Sequence, residues 1–238
     1  MKLYSAWYCP FAQRTWTALL YKGVQFEYVE IDPYDKTDEW LAISRGTGQV
    51  PVLIDDTEVD GQISVPGSTR TMEFIDMRFP DEKPSIFPRS ASAMVDTGFW
   101  LDYQDKKIIP YLYRFLKARP SSGPARDTKR HLEEGIEAFA TGMAGDGPFF
   151  AGNRVNAVDI AFAPFALRID ILLSHYNQYA LPETGAAWER YRQWWDAMGA
   201  FGPFVTTSTA LPGYTERLID FYIPYADGGG QEDVTRTG

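Results

Sequence analysis

The chain has 238 residues, of which 45% are hydrophobic and 23% charged, a balance typical of a globular protein with a substantial core. Its net charge of −9 argues against nucleic acid or an anionic membrane as the main partner, because both repel an acidic protein. The sequence has neither a run of about 18 apolar residues nor the pattern of a secretory signal at its start, so we expect a cytoplasmic protein.

The first 80 residues alternate between strand and helix patterns. In chain order they predict a strand at 2–8, a helix at 11–23, a strand at 26–31, a short helix at 37–44, a strand at 50–55, a pairing strand within 57–64 and a helix at 67–79. The first helix ends at Gly23 and the last one stops before Pro80, both common stop residues. This alternation predicts an α/β layer structure.

From about residue 90 onward, helical spacing of apolar residues replaces the alternation. The predicted helical segments cover 90–118, 126–145, 156–173, 186–201 and 214–225. We therefore place an α/β domain at 1–80, a charged linker with prolines at 81–89, an all-helical domain at 90–225, and a polar, glycine-rich tail that we predict to be disordered at 226–238.

A single cysteine, Cys9, excludes an internal disulfide and any cysteine-rich metal site. The two histidines, His131 and His175, are far apart and match no metal-ligand spacing, so we expect no metal. In a reducing compartment the lone thiol stays free. Position 12, the fourth of a redox CxxC motif, is Ala12, so redox chemistry at Cys9 would need an external thiol.

Cys9 lies between the first predicted strand and the first predicted helix, and Pro10 follows it. The free N–H groups and the dipole at a helix N-terminus favour negative charge, and proline fits the first turn. Since thiolate is the nucleophilic form, this position predicts a reactive cysteine with a lowered pKa. The alternative is a small buried side chain, as lone cysteines often are.

Val50 and Pro51 begin the third predicted strand. Proline cannot donate to a sheet ladder, so it marks an edge-strand start or a special turn. A cis bond here would expose the Val50 backbone to a peptide-like ligand, whereas trans is the commoner state. The sequence leaves both states open.

These motifs resemble the cytosolic glutathione transferases, most closely the omega and lambda classes, which use a cysteine. The resemblance rests on LYSAWYCPFAQRTW at 3–16, GQVPVL at 48–53, GST at 67–69 and NAVDIAFAPF at 156–165, and it covers about residues 2–222. It implies a thioredoxin-like N-terminal domain that binds glutathione and an all-α C-terminal domain that forms the second-substrate pocket. It also implies a homodimer.

By position, the resemblance implies that Cys9 forms a mixed disulfide with glutathione. The residues that it implies for glutathione binding are Phe11, Lys36, Gln49, Val50, Pro51, Gly67 and Ser68. The residues that we place in the second-substrate pocket are Trp100, Tyr103, Phe165 and Arg168. Helix packing is an alternative for the two aromatic residues on the first long helix, and ion pairing with Asp159 or Asp170 is an alternative for Arg168.

The implied activity is thiol–disulfide exchange, dehydroascorbate reduction or removal of glutathione from a conjugate, with glutathione as cosubstrate. The second substrate is expected to be a small aromatic compound or a thiol or disulfide. Two alternatives stay open: a non-catalytic ligand-binding protein on the same fold, and a conjugating transferase that uses Ser5 or Tyr8.

Gly67 departs from the resembled pattern, which has a glutamate before the serine. Without that carboxylate the γ-glutamyl ammonium loses a partner, so we expect weak binding of free glutathione unless another acid, such as Asp60, replaces it. A glutamate at position 67 should then tighten binding, unless the backbone there requires a positive φ.

Overall fold

The computed structural model describes residues 1–56, 61–81, 85–118 and 123–229. Its N-terminal part holds a four-stranded sheet formed by β1 (Lys2–Ser5), β2 (Glu27–Glu30), β3 (Val52–Asp55) and β4 (Ile63–Pro66). The strand order is β2-β1-β3-β4, in which β1 runs parallel to β2 while β3 runs antiparallel to both β1 and β4. β3 is buried along its whole length, as its continuous apolar run requires.

Three helices accompany this sheet: α1 (Pro10–Lys22), α2 (Asp38–Ile43) and α3 (Ser68–Arg78). α1 stops at Gly23, which has a φ of 67° and donates its N–H to the carbonyls of Leu19 and Leu20, as the sequence predicts. α2 begins after Thr37, whose hydroxyl accepts from the Trp40 N–H at 3.1 Å.

The C-terminal part is built from helices. They are α4 (Ala91–Tyr103), α5 (Ile109–Lys117), α6 (Gly123–Thr141), α7 (Ala157–Arg168), α8 (Ser174–Asn177), α9 (Ala186–Gly199), α10 (Gly202–Ser208) and α11 (Tyr214–Ala226). The predicted fold class, a thioredoxin-like α/β domain followed by an all-α domain, is confirmed. Among the described helices, none is long and apolar enough to cross a membrane.

Several element boundaries differ from the predictions. β1 ends at Ser5, because the Cys9 N–H donates to the Ala6 carbonyl at 2.9 Å and turns the chain toward α1. The single helix predicted for 90–118 is interrupted by a π-helical turn at Gln104–Ile108, just before Pro110. A second π-helical turn follows α7 at Ile169–Leu173. Residues 57–60 of the predicted pairing strand lie outside the described residues.

α7 is the central helix of the C-terminal part and is buried on nearly every side. Asn156 accepts from the N–H groups of Val158 and Asp159, and the Asp159 carboxylate accepts from the Asn156 N–H at 2.9 Å. The spacing of Asn156 and Asp159 in the sequence fits this capping box. Trp194 and the Phe150 N–H also donate to Asp159, yet burial raises the pKa of Asp159 to about 6.

α1 connects the two parts of the molecule, because it packs against α3 on one side and against α7 and α10 on the other. Gln13 donates to Thr207 at 3.0 Å and to Ser208 at 3.1 Å. The Arg14 Nε donates to the Ala161 carbonyl at 2.8 Å. The helix that follows Cys9 therefore binds both the sheet side and the helical side of the fold. The domain limits, which place the α/β domain at 1–80, the linker at 81–89 and the all-helical domain at 90–225, stay a prediction.

Candidate functional site

Three loops that contain predicted site residues meet at one end of the sheet. The register pairs Tyr4 of β1 with Val52 of β3, and Val52 with Pro66 of β4. Cys9 follows the end of β1, Val50–Pro51 precedes the start of β3, and Gly67–Ser68 follows the end of β4. Because the strands are antiparallel at these pairs, all three loops lie at the same edge.

Cys9 is the N-cap residue of α1 and has an extended backbone with a φ of −79° and a ψ of 116°. Pro10 occupies the first turn of the helix, as predicted. The Cys9 side chain makes no capping hydrogen bond, but the N–H groups of Phe11 and Ala12 in the first turn favour negative charge on its sulfur. The residue is partly buried and its thiol is free. The geometry is that of a thiol held at a helix N-terminus.

Burial raises the pKa of the Cys9 thiol above its ordinary value. Four groups oppose this effect: the Ala12 N–H, the Arg168 guanidinium, the Phe11 N–H and the Arg14 guanidinium. Our expectation of a lowered pKa is therefore wrong in direction for this structure. The helix N-terminus acts on the sulfur as expected, but loss of solvent around the thiol outweighs it.

Val50–Pro51 is a cis peptide bond, which resolves the choice that the sequence leaves open. Both residues are buried, whereas Gln49 is exposed. Gly48 has a φ of 57°, and a side chain there would meet the aliphatic carbons of Lys36 at 3.2 Å. The exposed Lys36 thus extends over the backbone next to Gln49. Lys36 therefore lies beside the loop that contains the predicted residues Gln49, Val50 and Pro51.

Gly67 and Ser68 stand at the start of α3. Gly67 has a φ of 92°, and its N–H donates to the Pro51 carbonyl at 3.0 Å, so it links this loop to the cis-proline loop. Ser68 is buried, and its hydroxyl accepts from Arg14 at 3.5 Å. The Arg70 side chain bonds to the Pro66 carbonyl at 2.9 Å and lies where a side chain at position 67 would start. A cation therefore occupies the surroundings of the missing glutamate.

Phe11 and Phe165 meet across the boundary between α1 and α7, with their ring centroids 5.0 Å apart. The Arg14 guanidinium lies 5.0 Å from the Phe11 centroid and 4.9 Å from the Phe165 centroid. Arg14 also pairs with Asp105 at 2.9 Å. The structure thus joins two predicted residues, one from the glutathione set and one from the second-substrate set.

Arg168 is fully buried at the end of α7. It donates to the Tyr8 carbonyl at 2.7 Å, to Gln13 Oε1 at 3.0 Å and to the Pro164 carbonyl at 2.7 Å. The alternative of an ion pair with Asp159 or Asp170 is wrong: Asp159 closes the capping box and Asp170 is exposed. Arg168 lies next to the turn that carries Cys9.

Trp100 and Tyr103 contact a different part of the helical domain. The Trp100 ring packs against Phe139 and Phe150, with centroids 6.0 Å and 5.2 Å away, and it would clash with any side chain at Gly142. Trp100 also lines a pocket of about 500 Å³ between the start of α4 and the segment 150–158. These contacts favour the packing interpretation for Trp100, and a substrate role for either ring stays a prediction.

Arg14 and Arg70 contact these loops but were not predicted from the sequence. Arg14 lies one helical turn after Pro10 on a largely apolar helix, and a buried position for such a cation is a signal that it contacts a functional group. Arg70 gave no signal, because an arginine in the first turn of a helix is common on protein surfaces.

Comparisons with known proteins agree with this geometry. Residues 3–83 match the family described as glutathione S-transferase, N-terminal domain, and residues 124–198 match glutathione S-transferase, C-terminal domain. Glutathione S-transferase U16 of Arabidopsis thaliana is 30% identical over 172 residues, which is 70% of this chain and 70% of that protein. Glutathione S-transferase L1 of the same plant is 28% identical over 225 residues, 92% of this chain and 87% of that protein.

Two solved structures resemble the whole fold. Glutathione transferase Omega 3C from Trametes versicolor gives a TM-score of 0.78 at 26% identity and covers 95% of this chain and 90% of that one. Rice GST1 (OsGSTU1), solved in complex with glutathione, gives a TM-score of 0.80 at 26% identity and covers 96% of this chain and 97% of that one.

Proposed function

This chain belongs to the glutathione S-transferase family, and from that premise we propose that it is a glutathione-dependent thiol transferase, reductase or deglutathionylating enzyme with Cys9 as nucleophile. The observation that carries the proposal is the position of Cys9, a free thiol at the N-cap of α1, where the first helical turn favours negative charge on the sulfur. A cysteine at this position favours exchange over conjugation, because it is itself the attacking group.

In the proposed exchange, the Cys9 thiolate attacks the glutathionyl sulfur of a mixed disulfide. The Cys9–glutathione disulfide forms, the original disulfide bond breaks, and the second substrate leaves as a thiolate. A glutathione thiolate then attacks that glutathionyl sulfur, which yields oxidised glutathione and returns the electron pair to Cys9. No second cysteine exists in the chain, so the resolving thiol is external.

The loops at the sheet edge are the proposed glutathione site. Val50 lies in the loop before β3 at this edge, where we propose that its backbone pairs with the tripeptide, and the exposed Lys36 beside Gln49 suits the glycine carboxylate. Ser68 at the start of α3 suits the γ-glutamyl carboxylate, since a helix N-terminus favours anions. Rice GST1 was solved with glutathione bound, which supports the same ligand here.

For the second substrate we propose a small aromatic compound, a thiol or a disulfide. The partly buried Phe11, whose ring packs on the fully buried Phe165, offers an apolar contact for it. Arg168 is fully buried, and Trp100 and Tyr103 pack with other rings of the helical domain, so we do not include these three residues in the proposed pocket. A cytoplasmic location and a homodimer are further parts of this proposal. The large exposed apolar side chains of α3 and α4 support the dimer; they are Met77, Met94, Val95 and Phe99.

One observation favours a second candidate, a non-catalytic ligand-binding protein. Burial raises the pKa of Cys9, so less thiolate is present near pH 7 than in a strongly activated enzyme. A conjugating transferase that uses Ser5 or Tyr8 has less support, because Ser5 is 1% exposed and burial raises the pKa of Tyr8.

The deciding experiment is mass spectrometry of the protein after incubation with oxidised glutathione, together with turnover on a glutathionylated substrate. We predict one adduct on Cys9 that reduced glutathione removes. Cys9→Ser should form no adduct and lose turnover by at least a hundredfold, because serine is close in size but its alkoxide is inaccessible near pH 7. An unchanged melting temperature in the variant serves as the folding control. Turnover that survives in Cys9→Ser contradicts the proposal.

A further inference from the structure

Arg168 is a buried cation for which the described residues offer no carboxylate. Its side chain is 0% exposed, and its hydrogen bonds go to neutral acceptors: two backbone carbonyls and the Gln13 amide. Its Nε atom is buried and has no hydrogen-bond partner among the described residues. An unpaired buried charge is costly, so its presence points to an anion that the fold is built to hold.

The other charges near the Cys9 sulfur do not compete with Arg168 for that role. Arg14 also interacts with the sulfur, but Asp105 neutralises it at 2.9 Å. The tyrosines that interact with the sulfur are Tyr8, Tyr28, Tyr113 and Tyr222; burial raises the pKa of each, so all are neutral near pH 7. Tyr113, Tyr214 and Tyr222 also lie close to Arg168, and none of them supplies a carboxylate.

Arg168 also fixes the backbone that carries the thiol. It donates to the carbonyl of Tyr8, the residue directly before Cys9, and to Gln13, one turn into α1. The two bonds connect the end of α7 to both sides of the cysteine. A change at Arg168 therefore reaches the thiol both through charge and through position.

We propose that Arg168 is a positioning residue that acts as the buried counterion of the Cys9 thiolate and anchors the turn on which the thiol stands. This role deepens the proposed function, since it assigns the group that makes a buried thiol usable. In thiol exchange the negative charge sits on Cys9 before attack and returns to it when a second thiolate releases glutathione. One fixed cation stabilises both states.

The test measures the titration of Cys9 itself, as the rate of alkylation by iodoacetamide against pH, with Cys9→Ser as the blank. We expect Arg168→Met to raise the inflection by about one pH unit or more, which is about tenfold less thiolate near pH 7. Arg168→Lys keeps the charge and should stay within about half a unit of the wild type.

Arg190 provides the matched control, because it also bonds to several backbone carbonyls, at Ala144, Gly147, Pro148 and Phe149, but does not interact with Cys9. Arg190→Met and Arg190→Lys should leave the inflection unchanged. A wild-type inflection in folded Arg168→Met overturns the proposal. If Arg168→Met does not fold, Arg168→Lys alone tests the proposal. An inflection that rises by a full pH unit in Arg168→Lys, although the positive charge is retained, overturns the proposal.

This measurement uses no glutathione, so it is independent of the proposed activity. A protein that forms no adduct with oxidised glutathione fails the proposed function while the titration still reports on Arg168. If the wild type forms the adduct but Cys9 titrates identically in the wild type and in Arg168→Met, the proposed function stands and the proposed role of Arg168 is overturned.

Discussion

Gly67 shows how a single backbone angle decides between two outcomes of the same substitution. Its φ of 92° lies where side chains are strained, and a Cβ would approach the Arg70 guanidinium at 3.0 Å. The structure therefore selects the destabilising outcome for Gly67→Glu over tighter binding of glutathione. We expect the variant to lose about 1–3 kcal/mol of unfolding free energy, the usual cost of such a conformation.

Urea unfolding of Gly67→Glu checks this prediction. Gly199→Glu is the control, because Gly199 is exposed at the end of α9, has no positive φ and has open space around it. Surface changes of that kind stay within about 0.5 kcal/mol. A Gly67→Glu protein as stable as the control would mean that the loop relaxes to a conformation that accepts a side chain.

The positions of the site residues could be predicted from the sequence better than their electrostatics. The order strand, cysteine, proline, helix placed Cys9 at the N-cap of α1, because local chain chemistry determines that turn. The direction of its pKa shift depends on burial by residues distant in sequence, so a local argument got it wrong. Arg168 is 159 positions after Cys9, and only the packing of α7 on α1 brings them together.

Among the elements, the long helices and the short α2 were predicted, whereas α10 and the two π-helical turns were missed. α10 was absent from the prediction although Pro203 in its first turn is a start signal, because its β-branched residues Val205, Thr206 and Thr207 have low helix propensity. The π-helical turns at Gln104–Ile108 and Ile169–Leu173 were also missed, since the apolar pattern continues through them. Tertiary packing rather than local preference sets both features.

α3 is joined to the segment before α4 through Asp76. This carboxylate is 2% exposed and accepts from Lys22 at 3.1 Å, from Ser85 at 2.8 Å, and from the Ile86 and Phe87 N–H groups at 2.8 and 3.2 Å. Burial raises the pKa of Asp76, but the bonds from Ile86, Ser85, Lys22 and Phe87 outweigh it, and the pKa falls below its ordinary value of 3.8.

Asp76→Asn should lower the unfolding free energy by about 3 kcal/mol at pH 7, because it leaves the fully buried Lys22 without a counterion. The control is Asp102→Asn, whose partner Lys106 is 68% exposed; loss of that surface pair should cost under about 1 kcal/mol. Urea unfolding measures both. Equal losses in the two variants would contradict the argument.

The pH dependence of this difference follows from the sign of the shift. A carboxylate with a lowered folded pKa contributes stability that is present above its unfolded value, 3.8, and is lost as pH falls through the folded value. The gap between wild type and Asp76→Asn should therefore be full near pH 7 and shrink below pH 3.8. A gap that grows on acidification would exclude the ionised pair as its source.

For the molecule as a whole, α1 links the proposed nucleophile to domain packing. Its N-cap residue is Cys9, and its polar side chains Gln13, Arg14 and Thr17 bond into the helical domain. Fixing of this helix by both parts of the fold should hold the Cys9 turn rigid, which suits a thiol that must align with an external disulfide.

The exposed faces of α3 and α4 are the surface on which we place the proposed homodimer interface. Val95 and Phe99 on α4 are 72% and 57% exposed, and Met77 on α3 is 75% exposed, so these two helices present large apolar side chains to solvent. Phe99→Glu should shift the protein from dimer to monomer in sedimentation velocity, because an interface that buries an unpaired carboxylate loses affinity by tenfold or more. Ile223→Glu is the matched control, since Ile223 is 46% exposed on α11, away from α3 and α4. A wild type that sediments as a monomer removes the dimer from the proposal, and a Phe99→Glu dimer places the interface on another face.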